Sequence, residues 1–340
     1  MKEKVSIQQI SEATGFSKTT VFNVLNNRGG ASKETVRTIM QAAQEMNYSL
    51  GGSAKKIKLV VYKDSGTVVD DTPFFSQLFA GIENECRANG YSLEIAYLYN
   101  SSEDYASARS RILSSPSDGL ILLGTEMSKK TFQEFEQSGI PLVLCDNRFL
   151  SDKVSCVAIN NKDTVEAAVE YLIACGHREI GYLKGYTRIN NFRDRADGLR
   201  AALGKNGLSD LGDYTIQLRP SIETAYQDMK SWLAIPRQLP TAFFADNDLI
   251  AFGAMRALQE AGYRIPEDVS VLGFDDMPFC EVSSPPLTTV RVDKTILGRK
   301  AVQVLLERIQ SGQQSSVATI TLIGAKLVRR DSVRDLRSKR

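Results

Sequence analysis

The sequence predicts an all-α helix-turn-helix headpiece followed by an α/β body, in which two doubly wound parallel-sheet subdomains leave a ligand cleft between them. Three observations support this fold class. The first 48 residues contain three short amphipathic segments of helical period. The rest of the chain alternates β-branched, strand-sized runs with helical stretches. At 340 residues the chain is also too long for a single compact core, which favours two or three domains.

The first helix is predicted from Ser6 onward. Ser6 and Gln9 have the spacing of a capping box, in which each side chain bonds the backbone of the other residue. Three apolar residues then fall on one helical face: Ile7, Ile10 and Ala13. Gly15 ends this helix, because a residue without a Cβ adopts the left-handed conformation at little cost.

Two further helices follow. Ser17 is suited to cap the second helix, and Phe16 is placed to fill the corner before it. The inward face of the second helix carries Val21, Val24 and Leu25, and its outward face carries Lys18, Thr19, Phe22 and Asn23. A third helix, capped at Ser32, presents an inward face of Val36, Ile39, Ala43 and Met46. Together the three helices can close a small core.

Two short helices joined by a tight turn form a helix-turn-helix, whose second helix enters the major groove of DNA. The alternative is an ordinary helical hairpin packed on another element, because short patterns of this kind are not specific. Residues 1–56 hold eight Lys and Arg against four Asp and Glu, whereas the whole chain has a net charge of only +2. Positive charge is therefore concentrated where phosphates would be met, which favours DNA binding.

The body of the chain is predicted to contain two blocks of strand-helix alternation. Strands are expected at 57–62, 93–98, 119–123, 142–145, 155–159, 179–183, 214–218, 241–245 and 269–273. Helices are expected between them at 75–89, 103–114, 128–138, 163–175, 194–206, 223–233 and 247–262. Such alternation implies parallel sheets covered on both faces, with ligands bound outside the carboxyl ends of the strands.

Polar residues recur where these strands end. Asp146, the run 246–248 and the pair 275–276 each follow a predicted strand, and a polar cluster at 190–195 lies between a strand and the next helix. Taken singly, each is better interpreted as a helix cap or a solvated loop. Their recurrence at one topological edge favours a cleft site for a ligand with several hydroxyls or a small charged group. Phe74 and Phe75 are either an apolar wall of that site or core residues.

Composition argues for a globular protein of the reducing cytoplasm. There is no N-terminal apolar segment of a secretion signal and no run long enough to span a membrane. Five cysteines are scattered without metal spacing, so buried free thiols are expected rather than disulfides or a metal site. Neither a metal nor any other cofactor is expected.

No catalytic constellation is present in the sequence. The single histidine, His177, lies in a predicted helix-to-strand turn, where a structural role is expected. There is no Gly-rich phosphate loop and no nucleophile elbow, and the Asp275–Asp276 pair has no identifiable partner for acid–base work. We therefore expect that the protein is not an enzyme and has no catalytic residues.

Several ordered motifs across the chain are similar to those of one family. They are residues 5–48, the stretches 72–76 and 81–83, and the runs 176–182, 266–276 and 286–290. On these motifs the chain resembles the lactose-repressor family of bacterial transcription regulators over essentially its whole length. The resemblance implies a headpiece at 1–48, a linker at 49–56 and an effector-binding and dimerisation domain at 57–340. Within that domain it implies an N-subdomain at 57–159 and 291–322 and a C-subdomain at 160–289 and 323–340.

The resemblance also assigns roles to individual residues. It implies base contacts for Lys18, Thr19 and Asn23, with Phe22 beside them, and phosphate contacts for Ser6, Ser17, Thr20 and Asn26. In the cleft it implies effector contacts for Phe74, Phe75, Asp146, Asn191, Arg195, Asn247 and Asp275. Most members of the family bind a sugar or a sugar phosphate, and a minority bind nucleobases or nucleosides.

Two departures from the family pattern have consequences. The family usually has Ser-Arg where this chain has Phe22-Asn23, and asparagine prefers adenine whereas arginine reads guanine, so a different operator is expected. Phe22 either touches a thymine methyl or packs inward. The linker at 49–56 is shorter than usual and contains Gly51 and Gly52, which disfavour a helix by about 1 kcal/mol each. We therefore expect no hinge helix there.

The function predicted from all this is a sequence-specific, homodimeric DNA-binding regulator, expected to be a repressor. A small polar ligand in the cleft, a sugar or sugar phosphate, would control its affinity for a pseudopalindromic double-stranded operator. No membrane partner is expected. The alternative is a small-molecule-binding receptor protein without DNA function. The basic segment from Arg329 to the C-terminus is expected to be a last strand followed by a solvated end.

Overall fold

The computed structural model describes residues 5–25, 31–46, 55–69, 73–208, 214–311 and 317–337. The chain forms two compact units, residues 1–54 and 55–340. The predictions for Asn26 and for the linker at 49–54, including the absence of a hinge helix, lie outside the described residues. Lys55 and Lys56 are described, and Lys56 is the first residue of a strand rather than part of a linker.

The N-terminal unit contains three helices, α1 (Ile7–Thr14), α2 (Lys18–Leu25) and α3 (Lys33–Glu45). The capping box is formed: the Gln9 backbone donates to the Ser6 hydroxyl, and the Gln9 side chain accepts from the Ser6 backbone at 2.7 Å. Gly15 has a φ of 73°, the left-handed conformation expected at the end of α1. Ser17 caps α2 by accepting from the Thr20 backbone at 3.1 Å, and Ser32 caps α3 in the same way.

A small core holds this unit together. Its buried members are Ile10, Val21, Val24, Leu25, Ile39 and Ala43, and Phe16 packs against them. Two expectations for this core are wrong, because Ala13 and Val36 are exposed. Three helices of 8, 8 and 13 residues enclose too small a volume to cover every apolar position. The inward face of α3 therefore buries Ile39 and Ala43, with Ala42 and the following Met46 partly buried against them, and Val36 in its first turn stays in solvent.

The larger unit alternates strands and helices. In chain order these are β1 (Lys56–Lys63), α4 (Pro73–Ala88), β2 (Ser92–Tyr99), α5 (Tyr105–Ser114), β3 (Gly119–Leu123), α6 (Lys129–Glu136), β4 (Leu142–Cys145), β5 (Ser155–Ile159), α7 (Asn161–Ala174), β6 (Ile180–Gly185), α8 (Asn190–Lys205), β7 (Thr215–Leu218), α9 (Ile222–Leu233), β8 (Ala242–Ala245), α10 (Asp248–Glu260), β9 (Ser270–Leu272), β10 (Thr289–Val292), α11 (Lys294–Ser311), β11 (Ile320–Ile323) and β12 (Ala325–Val328).

The strands form two parallel sheets, as the sequence predicts. The first has six strands in the order β11-β5-β4-β3-β1-β2, and the second has four in the order β7-β6-β8-β9. The antiparallel pair β10–β12 adjoins the second sheet through single bridges from Leu272 to Thr288 and from Asp275 to Arg291. The central strands are buried throughout, as expected when helices cover both faces of a parallel sheet.

The chain passes between the two sheets three times: after β5, after β10 and between β11 and β12. After the second passage, α11 packs against α4 on the first sheet. Gly298 allows this packing, because a Cβ there would lie 2.3 Å from the Leu78 carbonyl oxygen of α4. Three connections that share one region form a natural hinge between the sheets.

The structure corrects three expectations about the elements. The cluster at 190–195 is not a loop but the first turns of α8, which begins at Asn190. The strand-helix pattern predicts no element at 294–311, where α11 lies. The last strand, β12, ends at Val328 and so precedes the basic segment, and that segment is partly packed: Ser332 is fully buried and its hydroxyl donates to the Val271 carbonyl at 2.6 Å, whereas Leu336 and Arg337 are exposed. Hydrogen bonds between distant segments determine where α8 begins and how the segment after β12 packs. Local sequence patterns do not indicate such bonds.

All five cysteines are buried and free, as expected. None of the helices in the described ranges is both long and apolar enough to cross a membrane.

Candidate functional site

A cavity lies between the two sheets of the larger unit, at the carboxyl ends of their strands. All seven predicted cleft residues line it: Phe74, Phe75, Asp146, Asn191, Arg195, Asn247 and Asp275. Nine further residues complete the lining, and of these only Phe192 lies in a segment predicted for the cleft: Thr67, Val68, Thr125, Ile189, Phe192, Pro220, Ser221, Leu249 and Met277. The cavity encloses about 90 Å³, and about 660 Å³ when the space open to solvent at its mouth is included.

Asp146 follows β4 and points its carboxylate into the cavity. Its φ of 59° is unusual for a residue with a Cβ, and it turns the chain sharply at the end of the strand. The carboxylate accepts a hydrogen bond from the Thr125 hydroxyl at 2.6 Å and another from the Asn191 side chain at 3.1 Å. Burial raises the pKa of Asp146 to about 6, although these hydrogen bonds and the Arg195 charge act in the opposite direction.

Asp275 occupies the equivalent place after β9 and also has a positive φ, of 113°. One of its carboxylate oxygens lies 3.5 Å from the Arg195 guanidinium. Burial raises the pKa of Asp275, and the charges of Arg195 and Lys294 partly oppose that change. Two carboxylates therefore enter the cavity from opposite sheets.

Arg195 engages each of its three guanidinium nitrogens, and three of its five N–H donors, on the protein itself. Its Nε donates to Asn161 at 2.8 Å, one terminal nitrogen donates to the Asp246 carbonyl, and the other faces Asp275. The guanidinium also stacks 3.7 Å from the centre of the Phe274 ring. Arg195 is thus a rigid, neutralised cation in the wall of the cavity.

Amide side chains connect the two sides of the cleft. Asn191, on α8, donates to Asp146 and accepts from the Asn161 side chain at 3.1 Å. Asn247 caps α10, since its side chain accepts from the Ile250 backbone at 3.0 Å. The simple interpretation of Asn247 as a helix cap is therefore correct, and the same residue also lines the cavity.

Phe74 and Phe75 begin α4 and form the apolar side of the cavity. Both are buried, and their rings meet edge to face with centres 5.0 Å apart. They are core residues and cavity wall at once. Lys294, the first residue of α11, lies 5.8 Å from the Phe74 ring and donates to the backbone carbonyls of Asp275 and Asp276. It therefore joins the wall on the first sheet to a carboxylate segment on the second.

Glu126 supports the cavity without lining it. Its buried carboxylate accepts five backbone N–H bonds of 2.8–3.1 Å from the loop 64–69 that follows β1. Burial alone would raise the pKa of Glu126, but the backbone donors hold it below its usual value. That loop supplies Thr67 and Val68 to the cavity, and the Thr67 hydroxyl lies 3.2 Å from the Thr187 hydroxyl across the cleft.

Two further aspartates near the site are buried and do not face the cavity. Burial raises the pKa of Asp246 to about 6 while Tyr182 and Arg188 bind its carboxylate. Burial and the Asp275 charge raise the pKa of Asp248 to about 7. Both organise the edge of the second sheet on which Asp275 stands.

His177 has the structural role predicted for it. It is fully buried, with one ring nitrogen 2.9 Å from the Thr241 hydroxyl and the other 3.0 Å from the Arg334 carbonyl. Burial lowers its pKa. Within the described part of the chain, no group of His, Cys, Asp and Glu side chains is placed to hold a metal ion.

The N-terminal unit presents the predicted polar face on α2. Lys18, Thr19 and Phe22 are exposed and Asn23 is half-buried, whereas Val21, Val24 and Leu25 are buried. The Lys18 ammonium donates to the Gln8 side chain at 3.0 Å. Ser6, Ser17 and Thr20 lie in the first turns or caps of α1 and α2, where N–H groups and the helix dipole favour phosphate.

Comparison with known proteins identifies both parts. Residues 6–49 match bacterial regulatory proteins of the lacI family, and residues 169–333 match a periplasmic binding protein-like domain. The HTH-type transcriptional repressor PurR of Haemophilus influenzae (strain PittEE) is 31% identical over 338 residues, which cover 97% of this chain and 99% of that protein.

Solved structures have the same fold. A lac repressor dimer bound to operator and the anti-inducer ONPF is 26% identical with a TM-score of 0.71, covering 98% of this chain and all of that one. A regulator from Enterococcus faecium with bound ribose is 26% identical with a TM-score of 0.68, covering 83% of this chain and 100% of that one.

The fold and its two sites define a DNA-binding transcription regulator with a periplasmic-binding-protein-like body. The chain belongs to the lactose-repressor family of bacterial regulatory proteins, which confirms the resemblance deduced from its motifs. The predicted fold class is confirmed as well.

Proposed function

We propose that this protein is a homodimeric repressor whose affinity for a pseudopalindromic operator is controlled by a neutral, polyhydroxylated ligand bound in the cleft. The observation that carries the proposal is the convergence of Asp146, Asn191, Arg195, Asn247 and Asp275 from both sheets on one cavity. A ligand that contacts both sheets favours one relative arrangement of them, and linkage then changes any affinity that depends on that arrangement.

The charges of the cavity support a neutral ligand. Asp146 and Asp275 are acceptors for hydroxyl groups, while Arg195 and Lys294 already donate to protein groups. A phosphate group in the enclosed part of the cavity would meet two carboxylates and, among the described lining residues, one cation, Arg195, which is already paired with Asp275. Phe74 and Phe75 offer an apolar surface for the face of a sugar ring. Ribose bound to the Enterococcus faecium regulator is consistent with this ligand class.

For the DNA-binding unit, we propose that Lys18, Thr19, Phe22 and Asn23 contact base edges, with Ser6, Ser17 and Thr20 at phosphates and Asn26 as a further phosphate contact. Asn23 pairs best with adenine, through its N6 and N7 atoms. One headpiece reads too few base pairs for a genomic site, so two headpieces related by a two-fold axis are required. The lac repressor structure is that of a dimer on its operator.

The DNA part of the proposal is tested by selection from randomised duplexes with the full-length protein. We expect enrichment of a pseudopalindrome, and Asn23→Ala should lose discrimination at one base pair per half-site, by about 1–3 kcal/mol. Gln41→Ala, an exposed change on α3, is the matched control. If no sequence is enriched with or without sugars, the protein is instead a small-molecule receptor without DNA function.

The ligand part is tested by thermal melting of the full-length protein with neutral sugars, sugar phosphates and nucleosides. A ligand that binds only the native state raises Tm. We expect a neutral sugar to do so, and Asp275→Asn and Asp146→Asn to remove the effect. A nucleoside or a sugar phosphate whose stabilisation is lost in Asp275→Asn would replace the proposed ligand class.

A further inference from the structure

A second cavity lies beside α8 and is distinct from the cleft. Its lining consists of Tyr182, Lys184, Arg188, Arg193, Ala196, Leu199, Arg200 and Thr215. We call it the basic groove, because four of these eight residues are cationic and none is acidic. It encloses about 380 Å³. The whole chain carries a net charge of only +2, so this concentration of positive charge is local.

Two of the four cations have carboxylate partners, and two have none among the residues that the structure describes. Arg188 binds Asp246 at 3.0 Å, and Arg200 pairs with Asp197 on the same helix. Among the described residues, the Arg193 guanidinium donates only to the Asn190 side-chain oxygen, at 3.0 Å, and the Lys184 ammonium forms no ion pair or hydrogen bond. The groove therefore contains two cations that form no ion pair within the described part of the chain.

These two cations have complementary chemistry. A lysine ammonium is a compact point charge with three donors, and an arginine guanidinium presents a planar fork that fits two oxygens of one phosphate. The exposed Thr215 hydroxyl adds a neutral donor, and the buried Ala196 and Leu199 provide an apolar floor. A phosphate monoester of a small organic molecule fits this combination.

We propose that the basic groove is a second small-molecule site, which binds the phosphate group of a phosphorylated metabolite through Lys184 and Arg193. This site complements the cleft, where the cations are committed to protein groups and two carboxylates repel a phosphate. The two cavities therefore select ligands of different charge.

The helix α8 connects the two sites. Asn191, Phe192 and Arg195 face the cleft cavity, while Arg193, Ala196 and Arg200 line the basic groove. A phosphate held by Arg193 thus binds the same helix turn that presents Asn191 and Arg195 to the cleft ligand. Phosphate binding in the groove does not depend on the proposed function. An effect of that binding on the affinity of the cleft for its ligand would rest on the proposed function.

The test uses the full-length protein with Lys184→Ala/Arg193→Ala, and with Lys162→Ala/Arg178→Ala as a charge-matched control of exposed residues in the same unit. The probes are inorganic phosphate and glycerol 3-phosphate, each compared with potassium chloride at the same ionic strength and with glycerol. Titration calorimetry and Tm measure binding. The headpiece cations are unchanged in both variants, so any phosphate that they bind cancels in the comparison.

We expect saturable binding of glycerol 3-phosphate to the wild-type and control proteins, weakened at least about tenfold, or about 1.4 kcal/mol, in Lys184→Ala/Arg193→Ala. Equal affinity for inorganic phosphate would mean that the phosphate group alone is recognised, and a weaker affinity would mean that the organic part contributes. Equal binding by all three proteins, or none by the wild type beyond the chloride effect, overturns the proposal. Asp275→Asn should leave this binding unchanged, so failure of the cleft proposal is distinguished from failure here.

Discussion

Arg195 and Asp275 form an ion pair inside the cleft, with 3.5 Å between the guanidinium nitrogen and the carboxylate oxygen. Both side chains are nearly removed from water, with 4% and 14% of their areas exposed. A pair of this kind contributes little net stability, because desolvation offsets much of the attraction. Removing one partner is different, since the remaining buried charge then loses its ion-pair partner.

Arg195→Met should therefore destabilise the larger unit by about 3–5 kcal/mol. The variant leaves the Asp275 carboxylate unpaired and also removes donors to Asn161 and the Asp246 carbonyl. Urea unfolding at pH 7.5 measures the loss. Arg195→Met/Asp275→Asn should recover part of it, because the buried charge is gone. If the loss in free energy of unfolding in the double variant equals the sum of the losses in the two single variants, the two residues are not coupled.

The buried carboxylate of Asp248 should make the protein less stable as pH rises. Its folded-state pKa of about 7 lies above the value of about 3.9 in an unfolded chain. The native state therefore holds a proton that the unfolded state releases. Stability is lost as the pH rises from about 3.9 to about 7. Asp248→Asn keeps a neutral group at the site and removes that dependence.

We compare the free energy of unfolding of Asp248→Asn with that of the wild type at two pH values. The variant's advantage should be larger at pH 8 than at pH 5 by about 2 kcal/mol. Urea unfolding at both pH values gives the comparison, and Asp152→Asn, at an exposed position, is the control. If the wild type and Asp248→Asn keep a constant difference across this range, Asp248 does not carry a raised pKa.

The sequence could predict much of the cleft because its residues follow a topological rule. Asp146, Asn247 and Asp275 follow strands of parallel sheets, and the carboxyl ends of such strands meet at one edge. The strand pattern and the family resemblance together therefore predict the seven cavity residues. The headpiece caps were also predictable, because Ser6, Gln9 and Gly15 act within a few residues of one another.

What could not be predicted depends on contacts between distant segments. Glu126 is separated from the loop it binds by about 60 residues, and nothing near it in sequence indicates five backbone donors. Asn190 and Asn191 disfavour helix by local propensity, but hydrogen bonds from Asn191 to Asp146 stabilise α8 from its first turn. Lys294 belongs to a helix that the strand-helix pattern did not reveal.

Glu126→Gln should loosen the loop 64–69. One carboxylate oxygen accepts from Asp64, Ser65 and Gly66, and the other accepts from Val68 and Val69. An amide keeps one acceptor oxygen and turns an N–H₂ group toward the remaining donors, which leaves buried N–H groups unpaired at a cost of about 1–3 kcal/mol each.

Hydrogen exchange of a peptide covering 64–69 should therefore be at least about tenfold faster in Glu126→Gln, since about 1.4 kcal/mol is a factor of ten. Peptides from the second sheet should exchange as in the wild type. Glu103→Gln controls for the loss of charge, because Glu103 is exposed and lies between β2 and α5. Unchanged exchange in Glu126→Gln would show that the loop is held by other contacts.

His177 should give a pH dependence of the opposite sign to that of Asp248. Burial lowers its pKa from the usual value of 6.5, so the unfolded state binds a proton that the native state does not. The stability that the neutral ring contributes is present above about pH 6.5 and is lost as the pH falls toward the lowered folded-state value. His177→Gln should cost about 1–3 kcal/mol at pH 7.5, through loss of a buried hydrogen bond to Thr241 or Arg334.

Because glutamine does not titrate, the difference in free energy of unfolding between the wild type and His177→Gln should be smaller at pH 5.5. The buried aspartates contribute equally to both proteins, so the difference between their urea-unfolding free energies isolates the histidine. A gap that stays constant or widens on acidification would contradict a neutral, buried His177.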